Sequence, residues 1–239
     1  MKDYLLDIVQ HTYALGNIDL LKITGDTETT KINAISEDRS VIVEGEFKGP
    51  VADFIGTFGM PNLSKLNTIL NLPPYKEDAD ITIERTDDAP NSIKFKNKDG
   101  DFKNDYRFMK ADVVNGILKN FKFKNVNWNI DIAPSVQSIQ RLKFQSQAHS
   151  DETTFSAKTD GNELKIYFGN PGSHSGEFVF EAGVSGKLSK PWSWPVGAIT
   201  NILSLVGDKT YKISDEGATM ITVDSGLITY NYILPAQTK

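Results

Sequence analysis

Apolar residues recur along this chain with two periods, and the change from one to the other repeats. Residues 191–237 show the pattern most clearly. Trp192, Ser193 and Trp194 make a short extended piece. Pro195 opens a helix, since its fixed φ suits the first helical position and its missing N–H costs nothing there. Val196, Ile199, Leu203 and Val206 follow at three- and four-residue spacing, which predicts one apolar helix face, and Gly207 is a stop signal. Three strand-like runs come next, at 210–214, 218–223 and 227–234. Asp215-Glu216-Gly217 and Asp224-Ser225-Gly226 separate them with turn chemistry. The order is strand, helix, strand, strand, strand.

The same order occurs four times. One copy has a strand at 127–131, a helix at 135–149 and strands at 153–158, 163–168 and 176–182. Another has an extended piece at 51–60, a helix at 61–70 and strands at 80–85, 92–96 and 105–109. The first begins with a helix at 3–15 and continues with strands at 19–24, 30–35 and 41–47, so its leading strand is short or missing. The letters do not repeat; the order of elements does. In the first helix Leu5, Ile8, Val9 and Tyr13 form the expected buried stripe, with Asp3, Asp7, Gln10 and His11 facing away. In the helix at 135–149 the expected buried face is Val136, Ile139 and Leu142. Residues 110–126 fit no copy. They hold Val113, Val114, Ile117, Leu118 and Phe121 among lysines, and read as an amphipathic connector. The expected organisation is therefore an α+β chain of two similar domains, 1–109 and 127–239, joined by 110–126.

A chain of 239 residues suits two domains of ordinary size. With 39% apolar and 24% charged residues it can form a packed core. The absence of cysteine removes disulfides, thiol nucleophiles and cysteine-held metals. Asp7 interrupts the short apolar run near the start, so no signal peptide is expected. No stretch approaches the roughly 18 apolar residues of a spanning helix. The expectation is a soluble cytoplasmic protein. The net charge of −5 argues against tight nucleic-acid binding overall. The charge is uneven, however: nine Lys or Arg stand against four Asp between Lys94 and Lys124. No acid occurs between Pro134 and Ser150, which in an acidic chain points to a surface facing a polyanion.

Catalytic constellations are lacking. Gly172-Ser173-His174-Ser175-Gly176 has the outline of a nucleophile elbow, but His occupies the centre. Gly186-Lys187 ends like a phosphate loop, yet Leu188 stands where Ser or Thr is needed and Glu181 where the leading Gly belongs. His11, His149 and His174 lie on different elements. Glu37-Asp38 and Asp87-Asp88 sit in loops where Asp serves turns. The chain reads as a non-enzyme with no cofactor and no metal.

Four such copies joined in two halves resemble the DNA polymerase sliding clamps, the family of proliferating cell nuclear antigen and the clamps of tailed bacteriophages. The resemblance covers essentially the whole chain. Its local anchors are the helix at 135–149, the run Glu163-Leu164-Lys165-Ile166-Tyr167-Phe168 and the tail Tyr230-Asn231-Tyr232-Ile233-Leu234-Pro235. Its length and compact connector look closest to the phage type. One departure is that the helices expected to face DNA carry few Lys or Arg.

The resemblance implies a DNA-clamp fold, a homotrimeric ring of six domains around duplex DNA, and a partner DNA polymerase and clamp loader. A domain of this size has a radius of gyration near 13–14 Å, so six in a ring leave a hole of about 35 Å. The implied DNA-facing residues are Lys65, Lys76, Arg141, Lys143 and Lys209. The implied partner-peptide pocket holds Val41, Leu118, Phe121, Tyr232, Ile233 and Pro235. The implied subunit interface pairs the strand of Tyr106 and Phe108 with that of Phe178 and Phe180. The rival class is a non-enzymatic oligomeric structural protein, such as a phage tail or baseplate component. It would share the acidity but leave four helix-bearing copies unexplained.

Overall fold

A computed structural model of the chain describes residues 1–119, 126–190 and 192–237. The chain divides into two compact units, residues 1–122 with 224–230, and residues 123–223 with 231–239. The first contains α1 (Lys2–His11), β1 (Leu20–Gly25), β2 (Thr30–Ile35), β3 (Ile42–Phe47), β4 (Gly56–Pro61), α2 (Leu63–Leu70), β5 (Asp80–Thr86), β6 (Ala89–Lys96), β7 (Lys103–Arg107) and α3 (Ala111–Ile117). The second contains β8 (Ile130–Ile132), α4 (Val136–Ala148), β9 (Thr154–Asp160), β10 (Glu163–Gly169), β11 (Ser175–Ala182), β12 (Ser193–Pro195), α5 (Val196–Leu203), β13 (Asp208–Ser214), β14 (Ala218–Asp224) and β15 (Ile228–Pro235). The order predicted from periodicity is the order observed. The expected connector contains α3, and residues 120–125 of it lie outside the described residues.

Sheet order explains why each copy has a leading strand. In the first unit β4-β1-β2-β3 are neighbours, so the leader of the second copy joins the sheet of the first. In the second unit the exchange is mutual. β12 pairs with β9, giving β11-β10-β9-β12, and β8 pairs with β13. The first copy lacks a leader to give, and the second copy's sheet accordingly has three strands, β5-β6-β7. The strand registers described are antiparallel, as expected where strands are linked by hairpins. The opening residues of β15, up to Tyr230, belong with the first unit and lie beside β3.

The core forms where helices cover the inner sheet faces. α1 buries Leu5, Ile8 and Val9 and packs on α2, which buries Leu63, Leu66, Ile69 and Leu70. Each such side chain contributes about 1.5–3 kcal/mol when fully buried. Gly45 takes an inward position on β3, because a Cβ there would meet Ile32 Cβ at 3.1 Å and the Tyr230 ring at 3.3 Å.

Four inside-or-outside expectations are corrected. Asp7 and His11 are buried, at 9% and 2% exposure. The Tyr230 hydroxyl donates to Asp7 Oδ1 at 2.7 Å, and the His11 ring stacks on Tyr230 with 4.8 Å between centroids. A polar side chain enters a core when its partners come with it. Val136 is 73% exposed, because α4 has just begun there and only Ser138 and Leu142 of this helix are fully buried. Val206 is 77% exposed, because α5 ends at Leu203. Ser204 closes that helix by donating its hydroxyl to Thr200 O at 2.6 Å, and the chain turns outward beyond it.

Candidate functional site

Each unit has a packed helix pair, α1 with α2 in the first and α4 with α5 in the second, and each pair offers a candidate surface. The sequences of α2, α4 and α5 contain no Asp or Glu. In a chain of net charge −5 that is a local depletion of acids. The outward residues are mostly uncharged hydrogen-bonding groups: Ser64, Thr68 and Asn71 near α2, Gln137, Gln140 and Gln147 on α4, and Asn201 on α5. α4 begins with a built cap. Ser135 Oγ accepts from the Ser138 backbone N–H at 3.0 Å, which satisfies one of the helix's orphan donors. Phe144, at 66% exposure, stands among these glutamines. Reading 135–149 for its buried spacing passed it over, although it lies three residues from Arg141 on the outward side.

The basic residues singled out from sequence divide between the units. Lys65 is exposed on α2, and Lys76 is exposed just after the 3₁₀ turn Pro73–Tyr75. Arg141 is exposed on α4, and its guanidinium donates to Val179 O at 3.3 Å, which ties the helix to β11. Lys143 and Lys209 are half-buried in the second unit. Burial holds the Lys209 ammonium below the usual lysine value. Asp208 opposes this, and the nearby Lys143 adds to it. Lys209 Nζ donates to Gly207 O at 2.7 Å.

A groove of about 350 Å³ lies in the first unit, where the turn between β2 and β3 meets α3. It is lined by Asp19, Leu20 and Ile35, by Ser36, Glu37 and Arg39 of the turn, by Pro61 and Asn62, and by Ile117 and Leu118. The turn is braced from within. Asp38 Oδ1 accepts from Ser36 Oγ at 2.6 Å and Ser40 Oγ at 2.7 Å, while Ser36 Oγ accepts from the Val41 N–H at 2.9 Å. Those hydrogen bonds, Ser36 first, hold the Asp38 carboxyl below its ordinary value. Of the pocket residues chosen from sequence, Leu118 lines this groove and Ile117 beside it is 54% exposed. Val41, Tyr232 and Ile233 are core residues, at 2%, 0% and 4% exposure, and Pro235 is exposed. Phe121 lies outside the described residues.

The third candidate is a pair of sheet edges. β7 ends the three-stranded sheet and β11 ends the sheet β11-β10-β9-β12. Among the residues assigned to them, Tyr106 and Phe180 are buried at 2% and 1%, while Phe108 and Phe178 are half-buried. Tyr106 is held by its hydroxyl, which donates to Pro61 O. Phe180 packs edge-on against Tyr211, with centroids 6.0 Å apart.

No group of three metal-ligating side chains occurs among the described residues, and none of their helices is long and apolar enough to cross a membrane. Gly186 has a structural reason. A Cβ there would fall 1.6 Å from Asn129 O, so the glycine permits two backbone segments to touch.

No family model and no curated protein matches the sequence. Solved structures do match. PCNA of A. fulgidus, in a structure of the C-terminal region of FEN-1 bound to it, is similar over 100% of this chain and 96% of its own, with a TM-score of 0.72 and 12% identity. PCNA of Thermococcus kodakaraensis is similar over 99% of this chain and 95% of its own, with a TM-score of 0.66 and 9% identity. The chain therefore has the PCNA-type DNA-clamp fold from end to end.

Proposed function

We propose that the chain is a sliding clamp. Three copies close a ring around duplex DNA and tether a DNA polymerase for processive synthesis, after a clamp loader has placed the ring. The observation that carries this reading is the full-length likeness to PCNA, covering both units of the chain. The role is non-enzymatic: the ring holds its partner by topology, and the proposed site of action is the cytoplasm, on DNA. The acid-free faces of α2, α4 and α5 suit it. A face of amides and hydroxyls with a few cations at Lys65, Lys76, Arg141, Lys143 and Lys209 holds phosphates weakly and without sequence preference. A denser basic surface would grip and stop the slide.

The groove beside α3 is proposed as the docking place for a short peptide from the polymerase or another partner. In the A. fulgidus structure a region of FEN-1 is bound to PCNA. The apolar lip of Ile117 and Leu118, opposite the braced turn at 36–40, offers a preformed slot.

Synthesis on a long primed circular template tests both points. The chain, with its polymerase and loader, should lengthen the products, and linearising the template should abolish the gain because a ring slides off an end. Stimulation that survives on short linear duplex would overturn the topological mechanism. Ile117→Asp should remove stimulation while leaving the oligomer intact. Ile117 is the better probe because Leu118 is buried and its loss costs folding.

A further inference from the structure

We infer that the outward face of the sheet β11-β10-β9-β12 binds an extended segment of a partner protein, laid across the strands with its basic end at Glu177 and its acidic end at Trp192. The site belongs to the second unit alone, is separate from the groove beside α3, and stands whether or not the chain is a clamp.

Alternation makes the face and register makes the row. β9 and β10 alternate buried and less buried positions, so every second residue stands outward. Directly opposed residues of antiparallel strands share a face. Glu177 is opposite Tyr167, and Tyr167 is opposite Ser156. Ser156 is opposite Ser193, and Ser193 is opposite Gln237. The Gln237 N–H donates to Ser193 O at 2.8 Å, which adds this residue to the sheet. These residues form one cross-strand row, and each of them lines the same cavity of about 770 Å³. Lys158 flanks the row on one side. The turn between β10 and β11, with Asn170 and Pro171, flanks it on the other.

Length and chemistry select an extended chain. Neighbouring strands lie about 4.8 Å apart, so the row runs about 19 Å, the reach of about six extended residues. Its side chains offer carboxylate, hydroxyl and amide groups. An extended segment has backbone N–H and C=O groups free to meet them, whereas a helix uses its own internally.

Charge selects the direction. Glu177 is exposed at the β11 end and makes no ion pair among the described residues. Lys158 and Lys190 are exposed, and neither has a carboxylate partner among the described residues. Their ammonium groups lie instead over rings of the cavity wall, Lys158 at 5.3 Å from the Tyr167 centroid and Lys190 at 5.9 Å from that of Trp192. Lys165, the next outward residue of β10, is by contrast engaged by Asp160 at 2.6 Å and Glu163 at 3.6 Å. The uncommitted charge is therefore negative at β11 and positive from β9 to Trp192. A polyanion would be repelled at Glu177. A segment running from base to acid is matched along its whole length, and such matching sets partner and orientation more than affinity.

The wall at the β12 end is set in advance. Trp192 Nε1 donates to Asp215 O at 2.8 Å. The Asp215 carboxylate accepts from the N–H groups of Ser189 at 2.9 Å and Lys190 at 3.2 Å. One turn residue thus holds both the ring and the backbone that carries the Lys190 cation, and a wall ordered before binding costs little to order on binding.

A random library of displayed peptides, about twice the length of the row, selected on the full-length protein, supplies the probe. Enriched peptides are synthesised with a fluorophore and their binding is read by anisotropy. One class should lose affinity at least about tenfold on Ser156→Arg, which fills the middle of the row, and on Glu177→Lys, and should bind Ile117→Asp as it binds the wild type. Glu177→Lys changes an exposed side chain and keeps the test valid if Ser156→Arg fails to fold. Exchanging the basic and acidic ends of such a peptide should weaken it. The inference falls if no peptide is enriched, or if every enriched peptide is lost on Ile117→Asp and none on Glu177→Lys or Ser156→Arg. It falls equally if labelled oligothymidylate binds the wild type and is released by Lys158→Glu, since the face then takes nucleic acid. None of these outcomes bears on the ring, which synthesis on circular templates tests by itself.

Discussion

α1 and α4 follow the same place in their copies of the repeat, yet they are held by different means. α1 buries Leu5, Ile8 and Val9 and adds a polar network of Asp7, His11 and Tyr230. α4 fully buries only Ser138 and Leu142, is capped by Ser135, and leaves Val136, Arg141 and Phe144 on its surface. The repeat thus dictates where a helix lies and leaves its outer chemistry open. One helix is spent on anchoring its unit, and the other is free to present a face.

The largest test of this contrast is truncation. Ile8→Ala should cost about 2–5 kcal/mol, the range for buried aliphatic truncations. Phe144→Ala should stay within about 0.5 kcal/mol, because its ring is mostly in water. Urea unfolding of the two variants measures both, and a large loss at Phe144 would mean that α4 is anchored through its outer face. Next, Asp7→Ala removes the acceptor of the Tyr230 hydroxyl and should cost about 1–3 kcal/mol. A null result would reduce that network to decoration of an apolar core. The α4 cap is a smaller effect: Ser135→Ala should cost about 1 kcal/mol, read as a lowered urea midpoint with an unchanged slope.

The smallest effect is local and depends on pH. Hydrogen bonds from Ser36 and Ser40 lower the Asp38 pKa from its ordinary 3.8. A lowered folded value means that the anion braces the turn. Its contribution is complete above 3.8 and is lost as pH falls through the lower folded value. Amide exchange at Ser40 and Val41 should therefore quicken only at that acid end, and Asp38→Asn should show the same quickening at neutral pH.

Much of the fold was legible in the letters, because two periods and their turn residues are local properties. The helix at 195, the runs that became β13 to β15 and the missing leader of the first copy all follow from spacing and from Gly, Pro and Asp positions. The misreadings have one cause. Asp7 and His11 looked like outward residues because no partner is near them in sequence, and Tyr230 lies at the far end of the chain. Val136 and Val206 looked buried because they continue an apolar spacing past the point where their helix is covered.

The candidate surfaces follow the same division. The absence of acids on α2, α4 and α5 can be read from the sequence, since charge belongs to the residue itself. Leu118 was a candidate from the family resemblance, as an apolar residue of the connector. That it faces a turn braced by Asp38, that Val41, Tyr232 and Ile233 are interior, and that β7 and β11 end their sheets were decided only by tertiary structure. Burial and edge position depend on which distant strands exchange leaders, and no local pattern encodes that pairing.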